Sequence, residues 1–237
     1  VGGDSRYYPC LFEHEFVPQI ADLEALVDEN TVAILYNFPS NPTGATINVE
    51  QRDALLAFAQ KHDLWIISDE VYDRIVFDGE HVSFVGTDSD RVVLINSFSK
   101  TFAMTGWRIG YIMSANLEAM KQFTKIQYYI TACSNDAMQH AVLTAFDEAS
   151  DYPSIMAEEF KARCDLIVAC LNEIPGVQCH KPKGAFYVFP KVEVPGMNSE
   201  EIALELLKGG VLCSPGSAFG ASGEGHLRFA YTISRKD

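Results

Sequence analysis

Positive charge is scarce in this chain. Its 237 residues hold 18 lysines and arginines against 32 aspartates and glutamates, a formal charge of −14. That balance repels nucleic-acid phosphates and anionic lipid head groups, so neither nucleic acid nor a membrane is expected as a partner. Long hydrophobic runs are missing too: no apolar stretch approaches the roughly 20 residues that span a bilayer. The opening VGGDSRYYP has neither the basic nor the apolar region of a secretion signal. The chain reads as soluble and cytoplasmic.

Metal-binding and nucleotide-binding signatures are absent as well. Cys10, Cys133, Cys164, Cys170, Cys179 and Cys213 form no C-x-x-C pair and have no histidine at ligand spacing. No metal is expected, and the six read as reduced, semi-buried thiols. The glycine-rich GSAFGASGEG lacks both the G-K-[ST] ending of a phosphate loop and the G-x-G-x-x-G spacing of a dinucleotide site. Lys181 and Lys183, around Pro182 in a polar turn, read as solvated, and His62, His81 and His226 as surface or loop residues. No internal repeat or low-complexity tract occurs.

What is present is alternation of element type. ADLEALVD has helical spacing, TVAILYN is β-rich, NVEQRDALLAFAQKHD is an amphipathic helix and LWIIS is again a strand, followed by RVVLINS and IGYIM. Such alternation implies βαβ units and an α/β fold whose mainly parallel sheet is covered by helices. DEASDYP, near residues 147–153, breaks the pattern and marks a boundary. Residues 1–150 are expected to form part of a large domain. Residues 151–237 are expected to form part of a smaller α+β C-terminal domain, with a long helix at SIMAEEFKARCDLIVACLNEI, a helix at SEEIALELLKG and short strands at VLCS and HLRFAYT.

Ligands of open parallel sheets sit outside the carboxyl ends of the strands. Three successive strands here end in polar chemistry: AILYN runs into FPSNPTG with Asn41, LWIIS into DEVYD with Asp69 and Tyr72, and VVLIN into SFSK with Lys100. Taken singly, NPTG is a turn sequence, Asp69 a helix cap or half of a salt bridge, and Lys100 a solvated loop residue. Together they suit a pyridine aldehyde cofactor. Lys100 would form a Schiff base, Asp69 would face a ring nitrogen, Asn41 and Tyr72 a ring oxygen, and Ser97, Ser99 and Arg108 a phosphate.

SNPTG, SDEVY and SFSKTFAMTGWRIGY, in this order and spacing, closely resemble the fold-type I, class I/II aminotransferases of the aspartate aminotransferase type, which use pyridoxal 5′-phosphate. KPKGAFYVFP and VLCSPGSAFGASGEGHLRFAY resemble small-domain motifs of that family. The resemblance implies that Lys100 is the Schiff-base lysine and Asp69 the partner of the pyridine nitrogen. It implies that Asn41 and Tyr72 meet the phenolic oxygen, that Ser97, Ser99 and Arg108 hold the phosphate, and that Arg228 clamps the substrate α-carboxylate beside Asn41. Without the resemblance, Arg228 is a strand-borne arginine equally suited to a structural salt bridge.

The resemblance also implies a homodimer and amino transfer between an α-amino acid and a 2-oxo acid by a ping-pong route. Family members are longer: a portion carrying another phosphate-binding loop and a ring-stacking aromatic has no counterpart here. The chain is therefore expected to be N-terminally incomplete, with apolar surface uncovered. A lyase or synthase of the same fold, for example one acting on carbon–sulfur bonds, would use the same residues. An inactive fragment or interaction module that kept the fold is the remaining alternative.

Overall fold

The structure, a computed structural model, describes residues 2–235. The chain divides into two compact units, one of residues 30–39 and 47–157, the other of residues 1–29, 40–46 and 158–237. Helix α1 (Ile20–Glu24) precedes the first strand and belongs to the second unit.

The first unit is built on a four-stranded sheet of β1 (Ala33–Asn37), β2 (Trp65–Asp69), β3 (Val92–Ser97) and β4 (Gly110–Met113), in that spatial order. β1, β2 and β3 are parallel and β4 is antiparallel to β3. Helix α2 (Val49–Lys61) provides the crossover from β1 to β2. It starts at a capping box: Gln51 N–H donates to Asn48 Oδ1 at 2.8 Å and Asn48 N–H donates to Gln51 Oε1 at 2.9 Å, satisfying two donors a helix start leaves open. Leu55, Phe58 and Ala59 recur at helical spacing and are its buried face. Each large side chain so buried contributes about 1.5–3 kcal/mol. β3 is the strand most enclosed, with Val92, Val93, Leu94 and Asn96 all buried.

Beyond β3 lie the short α3 (Phe98–Thr101), then β4, α4 (Leu117–Thr131), α5 (Asp136–Glu148) and the start of α6 (Tyr152–Asn172). Periodicity assigns no element to α4 and α5. Their signal lies in the caps, since Asn116 Oδ1 accepts from Ala119 N–H at 2.9 Å and Asn135 Oδ1 from Met138 N–H at 3.3 Å. Apolar residues here do not mark a buried stripe: Leu117, Ile126, Tyr128, Tyr129 and Ile130 of α4 are all exposed.

The second unit combines the rest of α6 with a pair β5 (Val177–Gln178) and β7 (Lys191–Val192), and a three-stranded antiparallel sheet of β6 (Tyr187–Val188), β9 (Leu227–Ala230) and β8 (Ser214–Pro215). Helix α7 (Ser199–Lys208) packs Ile202 and Ala203 on Leu227. The glycine-rich stretch has a structural task at the start of α7, where Glu224 accepts from Ser199 N–H and Oγ–H at 2.8 Å each.

Several expectations are corrected. The helix expected over ADLEALVD stops at Glu24, after five residues, and the strand expected at VLCS falls instead at Ser214–Pro215, where pairing with β9 is available. Cys133 and Cys170 are exposed rather than semi-buried, while Cys164 and Cys179 are fully buried. Lys181 and Lys183 are half-exposed but ion-paired, with Asp165 at 2.6 Å and Glu15 at 2.7 Å. His226 is buried and stacks on Phe189 with ring centroids 5.0 Å apart, and His81 is held against Glu70. An imidazole is flat and half apolar, so it packs where a lysine could not.

Gly110 fixes the turn of chain from the site segment into β4. A Cβ there would sit 2.6 Å from Asn96 O, on the neighbouring strand. Gly110→Ala should therefore part β3 from β4 and lower stability by about 2 kcal/mol or more, read from the urea midpoint. An unchanged midpoint would show that the β3 and β4 backbones can separate without loss.

Candidate active site

Parallel pairing brings the ends of β1, β2 and β3 to one edge of the sheet. Asn37 pairs with Asp69, and Asp69 with Ile95. Asn37 Nδ2 donates to Asp69 O at 3.2 Å, a side-chain clasp across the first two strand ends that periodicity does not mark. The Asp69 carboxylate accepts from Val71 N–H at 3.3 Å and makes no ion pair among the described residues, so the structural salt bridge left open for it does not form. Burial pushes the Asp69 carboxyl above its ordinary range, Val71 N–H pulls it back and the neighbouring Glu70 charge adds to the rise. Such a carboxylate is stabilised by a cation set against it, which is what a protonated ring nitrogen offers.

Tyr72 follows in the turn after β2 and is buried, and Lys100 Nζ lies 5.8 Å from the centre of its ring. Lys100 sits in α3, directly beyond the end of β3. Partial burial, and then the Arg108 guanidinium, lower its proton affinity below that of an ordinary lysine. Ser97 caps α3, taking Ser99 N–H at 3.1 Å, and the two hydroxyls lie 2.8 Å apart. Arg108 adopts a left-handed backbone conformation, φ 53°, and donates from Nη1 to Thr105 O at 2.8 Å. Two hydroxyls and a guanidinium on one short stretch form a donor set of the kind that takes a phosphate.

Asn41 and Arg228 are joined to each other in the second unit. Arg228 Nη1 donates to Asn41 Oδ1 at 3.1 Å and Nη2 to Ser214 Oγ at 2.9 Å. The Tyr187 and Phe219 rings lie 4.9 and 5.0 Å from the guanidinium carbon, favourable faces for a planar cation. Arg228 Nε is buried without a hydrogen-bond partner, and no carboxylate pairs with Arg228 among the described residues. The structural salt bridge open to it is therefore not made. A partly buried guanidinium with only neutral acceptors is set to receive an anion. Asn41 is presented by the SNPTG turn, where Gly44, at φ 68°, accepts from Lys183 and Gly184 N–H at 3.1 and 3.0 Å. A Cβ on Gly44 would meet Gly184 O and Tyr187 O at 2.9 Å.

Thus Asp69, Tyr72, Ser97, Ser99, Lys100 and Arg108 occur together in one unit, and Asn41 and Arg228 together in the other. Sequence reading missed Asn37, the ring pair and Ser214 around Arg228, and the buried Glu70 with His81. Only Glu70 carried a signal, by following Asp69 directly at a strand end.

These features belong to a pyridoxal-phosphate type of α/β fold, and comparison with known proteins gives the family. Residues 1–237 match the model of the family "Aminotransferase class I and II". The chain is 35% identical to an aspartate aminotransferase of Pyrococcus horikoshii over 96% of its length and 59% of that protein's. It is 37% identical to aromatic-amino-acid aminotransferase 2 of Thermococcus litoralis over 97% of its length and 60% of that protein's. A solved alanine aminotransferase from Pyrococcus furiosus superposes with a TM-score of 0.93 at 34% identity, over 99% of this chain and 62% of that one. The chain belongs to the class I and II aminotransferase family, and it spans about 60% of the length of the relatives it matches.

Lys100 costs stability wherever it is charged, since the fold disfavours its cationic form. A lysine with depressed proton affinity carries that cost fully below its folded pKa and loses it above its unfolded value of about 10.4. Lys100→Met should therefore raise the Tm of the cofactor-free protein at pH 7, with the gain shrinking as pH rises through the folded pKa and gone above about 10.4. A gain that grew with pH would contradict the burial of its charge.

Proposed function

We propose that the protein moves an amino group from an α-amino acid to a 2-oxo acid through pyridoxal phosphate held at Lys100, in two half-reactions of a ping-pong cycle. The observation that carries the reading is the presence, at neighbouring strand ends of one unit, of a lysine of lowered proton affinity and a half-buried aspartate lacking an ion-pair partner among the described residues. The names of the relatives support it, all three being aminotransferases. Residues 1–150 are read as part of the large cofactor-binding domain and 151–237 as part of the small one. The same reading takes the protein as a cytoplasmic homodimer; no helix of the described residues is long and apolar enough to cross a membrane.

Pyridoxal phosphate, when bound, supplies a carbonyl that takes up the substrate amine and a ring that draws electrons from the substrate α-carbon. The remaining tasks fall to side chains. Lys100 would hold the cofactor through its carbonyl carbon and, as a free amine, would move a proton from the substrate α-carbon. Its lowered proton affinity makes the neutral amine more accessible than in an ordinary lysine. Asp69 keeps the ring nitrogen protonated, and the Tyr72 hydroxyl orients the ring oxygen, a contact assigned to Asn41 also by the family resemblance. Ser97, Ser99 and Arg108 bind the phosphate, and Arg228, braced by Asn41, binds the substrate carboxylate.

The reading is tested by following ¹⁵N. With pyridoxal phosphate and a panel of amino acids, label should move from the amino acid to an added 2-oxo acid. Release of labelled ammonia with side-chain cleavage would assign lyase chemistry instead, and label retained by every donor would leave an inactive binding module.

Arg228→Ala should lower kcat/KM for an amino acid roughly a hundredfold or more while leaving turnover of an amine without a carboxylate, and cofactor affinity, near their original values. Equal loss toward both amines would make Arg228 a packing residue.

A further inference from the structure

The residue after Asp69 is a glutamate with almost no exposure. Glu70 is 2% exposed, and its backbone N–H continues the sheet by donating to Ile95 O at 2.9 Å. Every side-chain contact converges on its carboxylate. Ser68 Oγ–H reaches Oε1 at 2.9 Å, Phe84 N–H reaches Oε1 at 3.1 Å, and His81 Nε2 lies 2.6 Å from Oε2. Burial alone would raise the Glu70 carboxyl, but His81, Ser83 and Phe84 N–H outweigh burial and hold it below the usual range. It is an ionised group inside the fold, one residue from Asp69.

An ionised carboxylate is costly to enclose, and one placed only to pack could be replaced by an apolar side chain at no loss. Its position offers a better account. Glu70 O accepts from Asp73 N–H at 3.0 Å and Tyr72 O from Ile75 N–H at 2.8 Å, so the turn that carries Tyr72 is wound on Glu70. The carboxylate ties that turn to residues 81–84, eleven or more positions along the chain. The other charged or titratable groups facing the pair are Asp73 and Arg74, from the same turn, and Tyr111, from β4. Arg74 is largely exposed and sits 3.8 Å from Asp73, so His81 is the basic side chain in direct contact with Glu70.

We propose that Glu70 and His81 are a positioning pair for the cofactor site: the Glu70 carboxylate fixes the turn that presents Asp69 and Tyr72, and the His81 contact at Oε2 holds that carboxylate and draws its charge away from Asp69, which faces the ring nitrogen. The inference deepens the reading of Asp69 given above and rests on it. Neither Glu70 nor His81 touches the reacting atoms in this account; both act through Asp69 and Tyr72.

Three variants test it: His81→Phe, which keeps a flat ring and removes the contact, Glu70→Gln, which keeps shape and acceptor but removes charge, and the two combined. The readouts are the Asp69 carboxyl titration, followed by ¹³C NMR in the cofactor-free protein, and the Kd for pyridoxal phosphate. His81→Phe removes the contact at Oε2 and leaves the Glu70 charge less shielded, so the Asp69 midpoint should rise and pyridoxal phosphate should bind on the order of tenfold more weakly. Glu70→Gln should move the midpoint the other way, because Glu70's charge is one cause of the upward shift at Asp69. The double variant should titrate like Glu70→Gln and regain much of the affinity lost in His81→Phe.

Opposite movements in the two single variants are not what lost packing produces. A midpoint unmoved in His81→Phe, or moved the same way in both, overturns the proposal. Should His81→Phe not fold, Glu70→Gln decides alone: a midpoint that does not fall refutes it. Midpoints that move as expected in a protein with no affinity for pyridoxal phosphate would retain the pair and discard the cofactor reading. Affinity with unmoved midpoints would do the reverse.

Discussion

The parallel ladder of β1, β2 and β3 is the constraint on which everything else depends. Its register sets Asn37 beside Asp69 and Asp69 beside Ile95, so that two strand exits, and the side chains just beyond them, open at one edge. Side chains alternate along a strand, so a slip of one residue would turn Asp69 to the opposite face and carry Ser68 out of the core. Ser68 and Asn96 are buried polar residues on these strands, and Ser68 spends its hydroxyl on Glu70. The ladder is thus tied to the site by polar contacts as well as by apolar packing.

Charge is handled differently at the two exits. At β2, an aspartate and a glutamate are adjacent, and the fold separates their fates. Glu70 is surrounded by donors and kept acidic, whereas Asp69 has a single backbone donor and is pushed the other way. At β3, burial and Arg108 together lower the proton affinity of Lys100. Burial thus opposes the ionised forms of Asp69 and Lys100 alike, an arrangement that stores energy until a charged partner arrives. Arg228, in the other unit, has only neutral acceptors and two aromatic faces around it among the described residues.

Much of this was legible in the sequence because strands and their exits follow short-range rules. AILYN, LWIIS and VVLINS are compact β-rich runs, and they fold as β1, β2 and β3 with Asp69 and Lys100 at or just past their ends. NVEQRDALLAFAQKHD showed the helical spacing of α2, and the capping box that starts it, Asn48 with Gln51, is local chemistry that needs no tertiary partner. What was not legible depends on distant contacts. Eleven residues separate His81 from Glu70, and nothing near His81 reports that a buried carboxylate waits for it. His226 looks polar in sequence, yet its stacking partner Phe189 lies far along the chain. α4 was hidden for the opposite reason: its apolar residues are exposed, so periodicity pointed to no buried face.

The central claim is that Lys100, and no other lysine, is the residue on which the cofactor is held. The direct measurement is borohydride reduction of the protein loaded with pyridoxal phosphate, followed by proteolysis and mass spectrometry of the modified peptide. The account predicts a single phosphopyridoxyl group on Lys100, within the segment SFSK that ends β3 and enters α3. Modification at Lys181 or Lys183, or label spread over surface lysines with Lys100 untouched, would contradict it.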